Sequence, residues 1–434
     1  MRDPERLSPD EQLAFQEKRL TAQIKRMRGG SDFYAGRLGR QPVRSLEELA
    51  QLPFMTKSEL LAAQAASPPF GDSAAVPQER IVRLHITSGT TGTPLMVGFT
   101  ANDLARSSEI GARAFGSAGV TPSHTVLHCV NYAFYAGGIA DHMSLEATGA
   151  TVVPVGLGQS ERLLDLFPAL RPNAIFAITS YTHHLSERAR AKRIDPETLG
   201  LRTIVTGGEP GGDIPEVRGR IEATWGARVT DTYGLGDVWP TLGAQCEVRD
   251  GFHLSAPDLL ITELVDPETD RVLDWQPGAT GELVYTHLQR EASPLVRYRS
   301  RDQAVVLALE CACGRRTPRF RLLGRIDDMI VVRGVNVFPS AIERLLAEAL
   351  PTMAGFAVLL DEPIPRPPLM IAVEVEDKIP EGLDRVIRER LQVRVAIRRL
   401  PPGTMTASEH KTKRVWRRFA GEEPEWWSLV STFQ

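Results

Sequence analysis

The chain has 434 residues, 42% hydrophobic and 24% charged, enough for one large globular domain and a smaller one. A formal net charge of -3 and the absence of a dense basic block argue against a nucleic-acid surface, so no nucleic-acid partner is expected. The polar start MRDPERLSPDEQ cannot form the apolar core of a secretory signal, and no run approaches the ~20 apolar residues of a membrane span, so a soluble cytoplasmic protein without a membrane partner is expected.

Ser8-Pro9-Asp10-Glu11 has the form of a capping box, and Leu13, Leu20, Ile24 and Met27 follow at helical spacing, which predicts an amphipathic first helix. From about residue 80 to 240, short β-rich runs at 126–130, 151–155, 174–178, 203–205 and 228–230 alternate with segments able to form helices, the pattern of a sheet with crossover helices. After Asp231, strands separated by turns, such as 281–285 and 295–299, predict a mostly antiparallel subdomain. Beyond Gly324-Arg325-Ile326-Asp327-Asp328 a unit of about a hundred residues follows, a plausible domain size. In it, 330–332 reads as a strand, and Ile342, Leu345, Leu346 and Leu350 line one side of a helix beginning after Pro339-Ser340. Pro-rich 362–368 reads as a loop. The predicted fold is α/β: a large N-terminal α/β domain (1–325) with an antiparallel subdomain, plus a small C-terminal α+β domain (326–434).

The strongest local signal is Thr87-Ser88-Gly89-Thr90-Thr91-Gly92-Thr93-Pro94, directly after the strand-like run 81–86. Glycines let the backbone approach an anion closely, and the hydroxyls supply neutral donors to phosphate oxygens, so the segment reads as a polyphosphate loop rather than a Ser/Thr-rich surface turn. A separate signal lies in Cys311-Ala312-Cys313-Gly314, with Cys246 and His253 upstream. Three thiolates and an imidazole suit a closed tetrahedral structural Zn²⁺ site pinning the antiparallel subdomain, the alternative being free, partly buried thiols. Cys129, in an apolar run, reads as core, and His183 and His184 as satisfied or exposed histidines.

The phosphate loop and the motifs that follow it in order resemble those of the adenylate-forming superfamily of acyl-CoA synthetases and peptide-synthetase adenylation domains, over nearly the whole chain. Thr206-Gly207-Gly208-Glu209-Pro210 resembles the adenine-contacting loop, and Asp231-Thr232-Tyr233-Gly234-Leu235-Gly236-Asp237 the aromatic and magnesium motif. Asp302 in Tyr298-Arg299-Ser300-Arg301-Asp302 matches the aspartate that holds the ribose hydroxyls, Arg325 and Asp327 fall in the hinge motif with Asp327 as the hinge, and Lys411 sits in the catalytic-lysine loop 408–414. Val97-Gly98-Phe99-Thr100, Arg333-Gly334-Val335-Asn336-Val337-Phe338-Pro339 and Leu95, where many members carry lysine, are similar to the phenylacetate-CoA ligase branch. By family position the acid pocket is built from 131–138, including Tyr135, Ala136 and Gly137, with Gly207 and Tyr233; aromatic walls and glycines suit a flat ring, and core packing is the other role open to the aromatics.

The resemblance implies ATP, Mg²⁺ and coenzyme A as cofactors, and two half-reactions. A carboxylic acid, aromatic or arylacetic, is adenylated by ATP, and a thiol then displaces AMP while the C-terminal domain swings about Asp327. Ser88 to Thr93, Mg²⁺ near Asp237 and Lys411 would together meet the charge that builds on the α-phosphate. Two departures stand out: Asp237 replaces the usual glutamate, and His410 the glycine before the lysine, with Lys413 as the second candidate lysine. The competing readings are a ligase that loads an acyl carrier protein or an amine, and a non-catalytic nucleotide-binding protein. A homodimer is one option for the oligomeric state, which the sequence leaves open.

Overall fold

The computed structural model describes residues 3–87, 94–134, 136–333, 335–363, 365–405 and 413–428. Ser8 and Glu11 close the expected capping box, with Glu11 Oε2 accepting Ser8 N at 2.8 Å, and start the helix Pro9–Gly30. Leu20, Ile24 and Met27 enter the core as expected, but Leu13 is 39% exposed. The helix meets the core only from about two turns further on.

The antiparallel pair β1 (Arg83–Ile86) and β2 (Met96–Phe99) is joined through residues 87–95. Strands β3 (Thr125–Cys129), β4 (Thr151–Pro154), β5 (Ala174–Ala177), β6 (Thr203–Thr206) and β7 (Arg228–Leu235) then alternate with helices and pair in parallel in the order β4-β3-β5-β6-β7. Both faces of this sheet are covered. Phe115, Val126, Phe176 and Val205 pack on one side, and Leu127, Ile175, Tyr181, Ile204 and Trp225 on the other, which is why these strands read as short continuous apolar runs.

The sheet changes character within β7. Its residues Arg228 to Asp231 pair in parallel with β6, whereas Thr232 onward pairs antiparallel with β8 (Trp239–Ala244). From there β9 (Phe252–Leu254), β10 (Leu260–Val265), β11 (Val272–Leu273), β12 (Thr280–His287), β13 (Tyr298–Ala308) and β14 (Arg319–Arg325) extend the sheet to twelve strands, in the order β7-β8-β9-β14-β13-β12-β10-β11. The antiparallel subdomain is as predicted, except that the strand expected over 295–299 begins at Tyr298, because Arg297 at φ 45° interrupts the extended run. Its core contains Arg290, which is fully buried, lies 3.6 Å from the Phe99 ring centre and 4.6 Å from that of Trp239, and donates to Gly98 O at 2.9 Å. Asp103 stands 3.8 Å from it and also accepts the backbone N–H groups of Glu291 and Ala292, so the buried charges are compensated where β2 meets the antiparallel subdomain.

After β14 a single 3-10 turn, Ile326–Asp328, leads to the pair β15 (Ile330–Val332) and β16 (Val335–Val337), the helix Pro339–Ala349, and a four-stranded sheet. That sheet has the order β19-β18-β17-β20, from β17 (Met353–Leu360), β18 (Leu369–Val375), β19 (Val395–Leu400) and β20 (Val415–Arg417). Ile342, Leu345, Leu346 and Leu350 are buried against it with Phe356, Ile371 and Val373, as their spacing predicts. Arg344 pairs with Asp213 at 2.6 Å, Arg220 donates to Leu350 O and Pro351 O, and Ile214 is packed into this C-terminal core. No helix among the described residues is long and apolar enough to cross a membrane.

Candidate active site

Thr87 closes the base of the glycine-rich segment. Its N–H donates to Leu95 O, and its Oγ1 accepts from Leu95 N, both at 3.0 Å. Ser88, Gly89, Thr90, Thr91, Gly92 and Thr93 lie outside the described residues. Beside that base stands Lys57, first residue of the helix Lys57–Ala66, with Nζ 3.3 Å from Thr87 Oγ1 and 3.3 Å from Asp237 Oδ2. Asp237 Oδ2 also accepts the Tyr298 hydroxyl at 2.5 Å. Gly236 allows this convergence: a Cβ there would lie 3.1 Å from Ala136 Cβ and 3.8 Å from Thr87 Cγ2. Three motifs far apart in sequence therefore meet at one point, around a carboxylate with one cation and one phenol.

A second carboxylate, Asp302, is 6% exposed and accepts the Tyr233 hydroxyl at 2.6 Å; Tyr233 in turn lies 3.0 Å from the Tyr285 hydroxyl. Burial, then the Asp302 charge, pushes the Tyr233 phenol well above its ordinary value, so it remains a donor. The β13–β14 ladder sets Arg325 opposite Asp302, 3.3 Å away, and Arg325 grips Asp327 through bonds of 2.9 and 2.8 Å. Burial works against that guanidinium, but Asp327 and Asp302 hold it above its usual range. The turn that leads into the C-terminal unit is thereby tied to the site.

Where β6 and β7 run side by side, Thr206 Oγ1 donates to Asp231 Oδ1 at 2.7 Å and Thr232 Oγ1 to Thr206 O at 2.8 Å. A Cβ on Gly207 would come within 2.3 Å of Thr232 Oγ1, so only glycine lets this segment lie against β7. Gly208, at φ 84°, and Pro210 are exposed, while Glu209 is buried and accepts Ser180 N–H. Burial, then nearby Asp213, raises Asp231 to about 8, so this acid is largely neutral at pH 7.

The expected acid-pocket segment is only partly a wall. Ala136 and Gly137 open the helix Ala136–Ala147 and are buried, and Tyr135 lies outside the described residues. Phe134, one of the expected aromatic walls, is instead 82% exposed at φ 51°, because the chain turns there before the helix. Among the described residues the ring closest to Gly207 belongs to Phe176, whose Cε2 would lie 3.4 Å from a Cβ there, and fully buried His128 lies between Phe176 and Tyr132, tilted against both. Tyr132 completes the row with a 2.9 Å hydrogen bond to His142 Nδ1. Deeper in the same helix, Asp141 accepts from Thr241, and burial raises it to about 7.

Cys246, His253, Cys311 and Cys313 present ligand atoms that all lie within 4.8 Å of one another. His253 Nδ1 is 3.0 Å from Thr317 O, and burial holds its ring near 4. The neutral imidazole therefore carries its proton on Nδ1 and turns the Nε2 lone pair toward Cys313 Sγ, 3.7 Å away. A fixed tautomer of this kind, with three thiols around it, fits tetrahedral zinc. Cys129 is buried core, as expected.

Lys411 and His410 lie outside the described residues. Lys413, the second candidate, pairs with Glu422 at 3.0 Å and sits 4.7 Å from the Trp416 ring centre, engaged within the C-terminal unit. Sequence reasoning missed Lys57 and Tyr285, and gave Tyr298 no role of its own. The one available signal for Lys57 was Leu95, which leaves the phosphate loop without its usual lysine and calls for a cation from elsewhere.

Residues 37–289 match the AMP-binding enzyme family, and residues 334–418 match the AMP-binding enzyme C-terminal domain. A phenylacetate-coenzyme A ligase of Thermus thermophilus is 33% identical over 433 residues, covering 92% of this chain and 95% of the relative. Its counterpart in Escherichia coli K12 is 36% identical over 350 residues, covering 79% and 77%. Among solved structures, 2-hydroxyisobutyryl-CoA ligase in the postadenylation state with 2-HIB-AMP superimposes with a TM-score of 0.89 at 28% identity, over 99% of this chain and 93% of that one. With 2-HIB-AMP and CoA in the thioesterification state, that ligase gives a TM-score of 0.71 at 29% identity, with the same coverage.

Asp141 gives a pH test of the pocket helix. Its folded value of about 7 lies above the ordinary 3.8, so its contribution to stability is complete below about pH 4 and is lost as pH rises through 7. The stability of Asp141→Asn relative to the parent is expected to rise between pH 5 and pH 8.5 by on the order of 1–3 kcal/mol in urea unfolding. A difference between the two proteins that does not change with pH would overturn this assignment.

Proposed function

The chain belongs to the AMP-binding enzyme family, in its phenylacetate-CoA ligase-like branch, and we propose that it joins an aromatic or arylacetic acid to coenzyme A at the expense of ATP. A carboxylate oxygen attacks the α-phosphorus of ATP, the bond to the β-phosphate breaks, and acyl-AMP and pyrophosphate result. The coenzyme A sulfur then attacks the acyl carbon, the bond to AMP oxygen breaks, and the thiol proton leaves with solvent.

The observation that carries this reading is the convergence of Lys57, Thr87, Asp237 and Tyr298 at the base of the 88–93 segment. Residues 88–93 cradle the phosphates through backbone N–H groups and hydroxyls, and Lys57 supplies the positive charge that Leu95 cannot. Asp237 would hold Mg²⁺, which neutralises phosphate charge when bound. Gly208 to Pro210 and Asp231 to Tyr233 frame the adenine, and Asp302 accepts from the ribose hydroxyls beside Arg325. Ala136, Gly137, Tyr135 and Gly207 border the acid, with Phe176 as its nearest buried ring. The unit after residue 325 pivots at Asp327 and carries Lys411 to the site for adenylation.

Acid-dependent exchange of labelled pyrophosphate into ATP is expected with phenylacetate or a ring-substituted relative. Lys57→Ala should lower that exchange by roughly 10- to 100-fold through weaker transition-state binding. Silence across a broad panel of acids would leave a nucleotide-binding protein without catalysis, and thioester formed on a carrier protein but not on coenzyme A would move the acceptor.

Cys246, His253, Cys311 and Cys313 would hold one structural Zn²⁺ that pins the β9 strand to the loop before β14. Elemental analysis should return one zinc per chain, and Cys311→Ser should abolish it and lower the melting temperature. Purified protein free of zinc, with an unchanged melt on chelation, would argue for plain thiols.

A further inference from the structure

The 3-10 turn Pro4–Arg6 packs against the cysteine loop, 310 residues further along the chain. Glu5, at the centre of the turn, is 2% exposed, and its Oε2 accepts from Arg315 Nε at 2.9 Å. Its carbonyl accepts Arg316 N at 2.7 Å, and Ser255, just beyond β9, stands beside the same carboxyl. Glu5 is therefore wedged between the loop that carries Cys311 and Cys313 and the strand that carries His253. Arg315 faces the other way as well: its backbone N–H and its guanidinium lie within hydrogen-bonding reach of Cys313 Sγ. Arg6 closes over the loop, since a Cβ on Gly314 would lie 2.6 Å from Arg6 Nη1. Burying a carboxylate is costly unless it is paired, and such a pair adds little to stability by itself. What the pair does fix is the direction of a guanidinium at Cys313.

We propose that Glu5 and Arg315 are positioning residues for the metal site: Glu5 orients Arg315, whose guanidinium balances and hydrogen-bonds the Cys313 thiolate once Zn²⁺ is bound. This assignment rests on the structural-zinc reading above. Zn²⁺ with three thiolates and a neutral imidazole is an anion overall, and a buried anion needs a cation beside it. Neither residue touches the metal; each acts through the sulfur or the side chain it holds. Partners of this kind orient the ligand atoms and tune their basicity, and losing one costs about 10- to 100-fold in metal affinity. The start of the chain thereby becomes part of a site whose ligands all lie far beyond it in sequence.

The test measures zinc affinity in the full chain, by competition with a chromophoric chelator of known affinity. Arg315→Gln is expected to weaken zinc by about 10- to 100-fold, and Glu5→Gln by about tenfold. The direction of the second change discriminates: were Glu5 only a negative charge near the thiolates, removing it would tighten zinc. With Co²⁺ in place of zinc, Arg315→Gln should move the thiolate-to-cobalt charge-transfer band to longer wavelength, because a sulfur that loses a hydrogen-bond donor gives up electrons more readily. Arg315→Lys, which keeps the cation without the planar fork, should restore part of that shift. Should Arg315→Gln not fold, Arg315→Lys carries the affinity test, with a several-fold loss expected. Zinc held at the parent's affinity in either glutamine variant, tighter zinc in Glu5→Gln, or an unmoved cobalt band would overturn the assignment alone. A parent chain that takes up no zinc would overturn the zinc reading and this assignment with it.

Discussion

The site depends on one strand changing partners partway along its length. Up to Asp231, β7 is the last parallel strand of a doubly covered sheet; from Thr232 it is the first antiparallel strand of the other half. At that junction Gln245 closes the gap, its N–H donating to Asp231 O while its side chain accepts Asp231 N. Every group that matters nearby follows from this handover. Thr206 and Gly207 come from the parallel side, Tyr285 and Asp302 from the antiparallel side, and Tyr233 bridges them, one residue beyond the change. A ligand lying across the junction meets the ends of parallel strands and the face of an antiparallel sheet together, in line with the rule that open α/β sheets bind at the carboxyl ends of their strands.

The charges at the site are arranged in pairs rather than as a field. Asp237 has Lys57 and Tyr298; Asp302 has Arg325 and Tyr233. In each case a carboxylate is offered one cation and one phenol whose hydroxyl burial keeps protonated. Such pairs are poor contributors to stability, because desolvation offsets most of the attraction, but they hold oxygens in fixed directions. That is the property a nucleotide site needs: a preorganised set of charges that does not rearrange as the reaction proceeds.

How much of this was legible in the sequence depended on the range of the interaction. Capping boxes, the apolar face of the helix Pro9–Gly30 from Leu20 onward, and the parallel strands are written in neighbouring residues, and the structure carries them. The motifs were legible for the same reason, each being a short run. The Cys-x-Cys pair was local, and its partners Cys246 and His253 were close enough in the chain to be suggested, though only the fold brings their ligand atoms together. Lys57 was not legible. Its ion pair with Asp237 spans 180 residues, and nothing around it distinguishes it from any first-turn lysine of an exposed helix. Phe134 failed in the opposite way: an aromatic beside glycines reads as a pocket wall, but its backbone at φ 51° sends the side chain outward.

The C-terminal unit is packed against the larger one. The contacts that seat it include the Arg344–Asp213 pair, the bonds from Arg220 to Leu350 O and Pro351 O, and the packing of Ile214. Apart from the isoleucine these are polar contacts. Both superpositions on 2-hydroxyisobutyryl-CoA ligase cover the same share of this chain, yet the TM-score falls from 0.89 for its postadenylation state to 0.71 for its thioesterification state. The chain as a whole therefore superimposes better on the postadenylation state. Here Glu374 lies close enough to His183 and Glu187 of the larger unit to feel their charges. Arg325 then becomes informative, because it binds Asp302 in the site and Asp327 in the turn with the same guanidinium. The turn that precedes the C-terminal unit is thus held, through one guanidinium, to the buried carboxylate that also accepts from Tyr233.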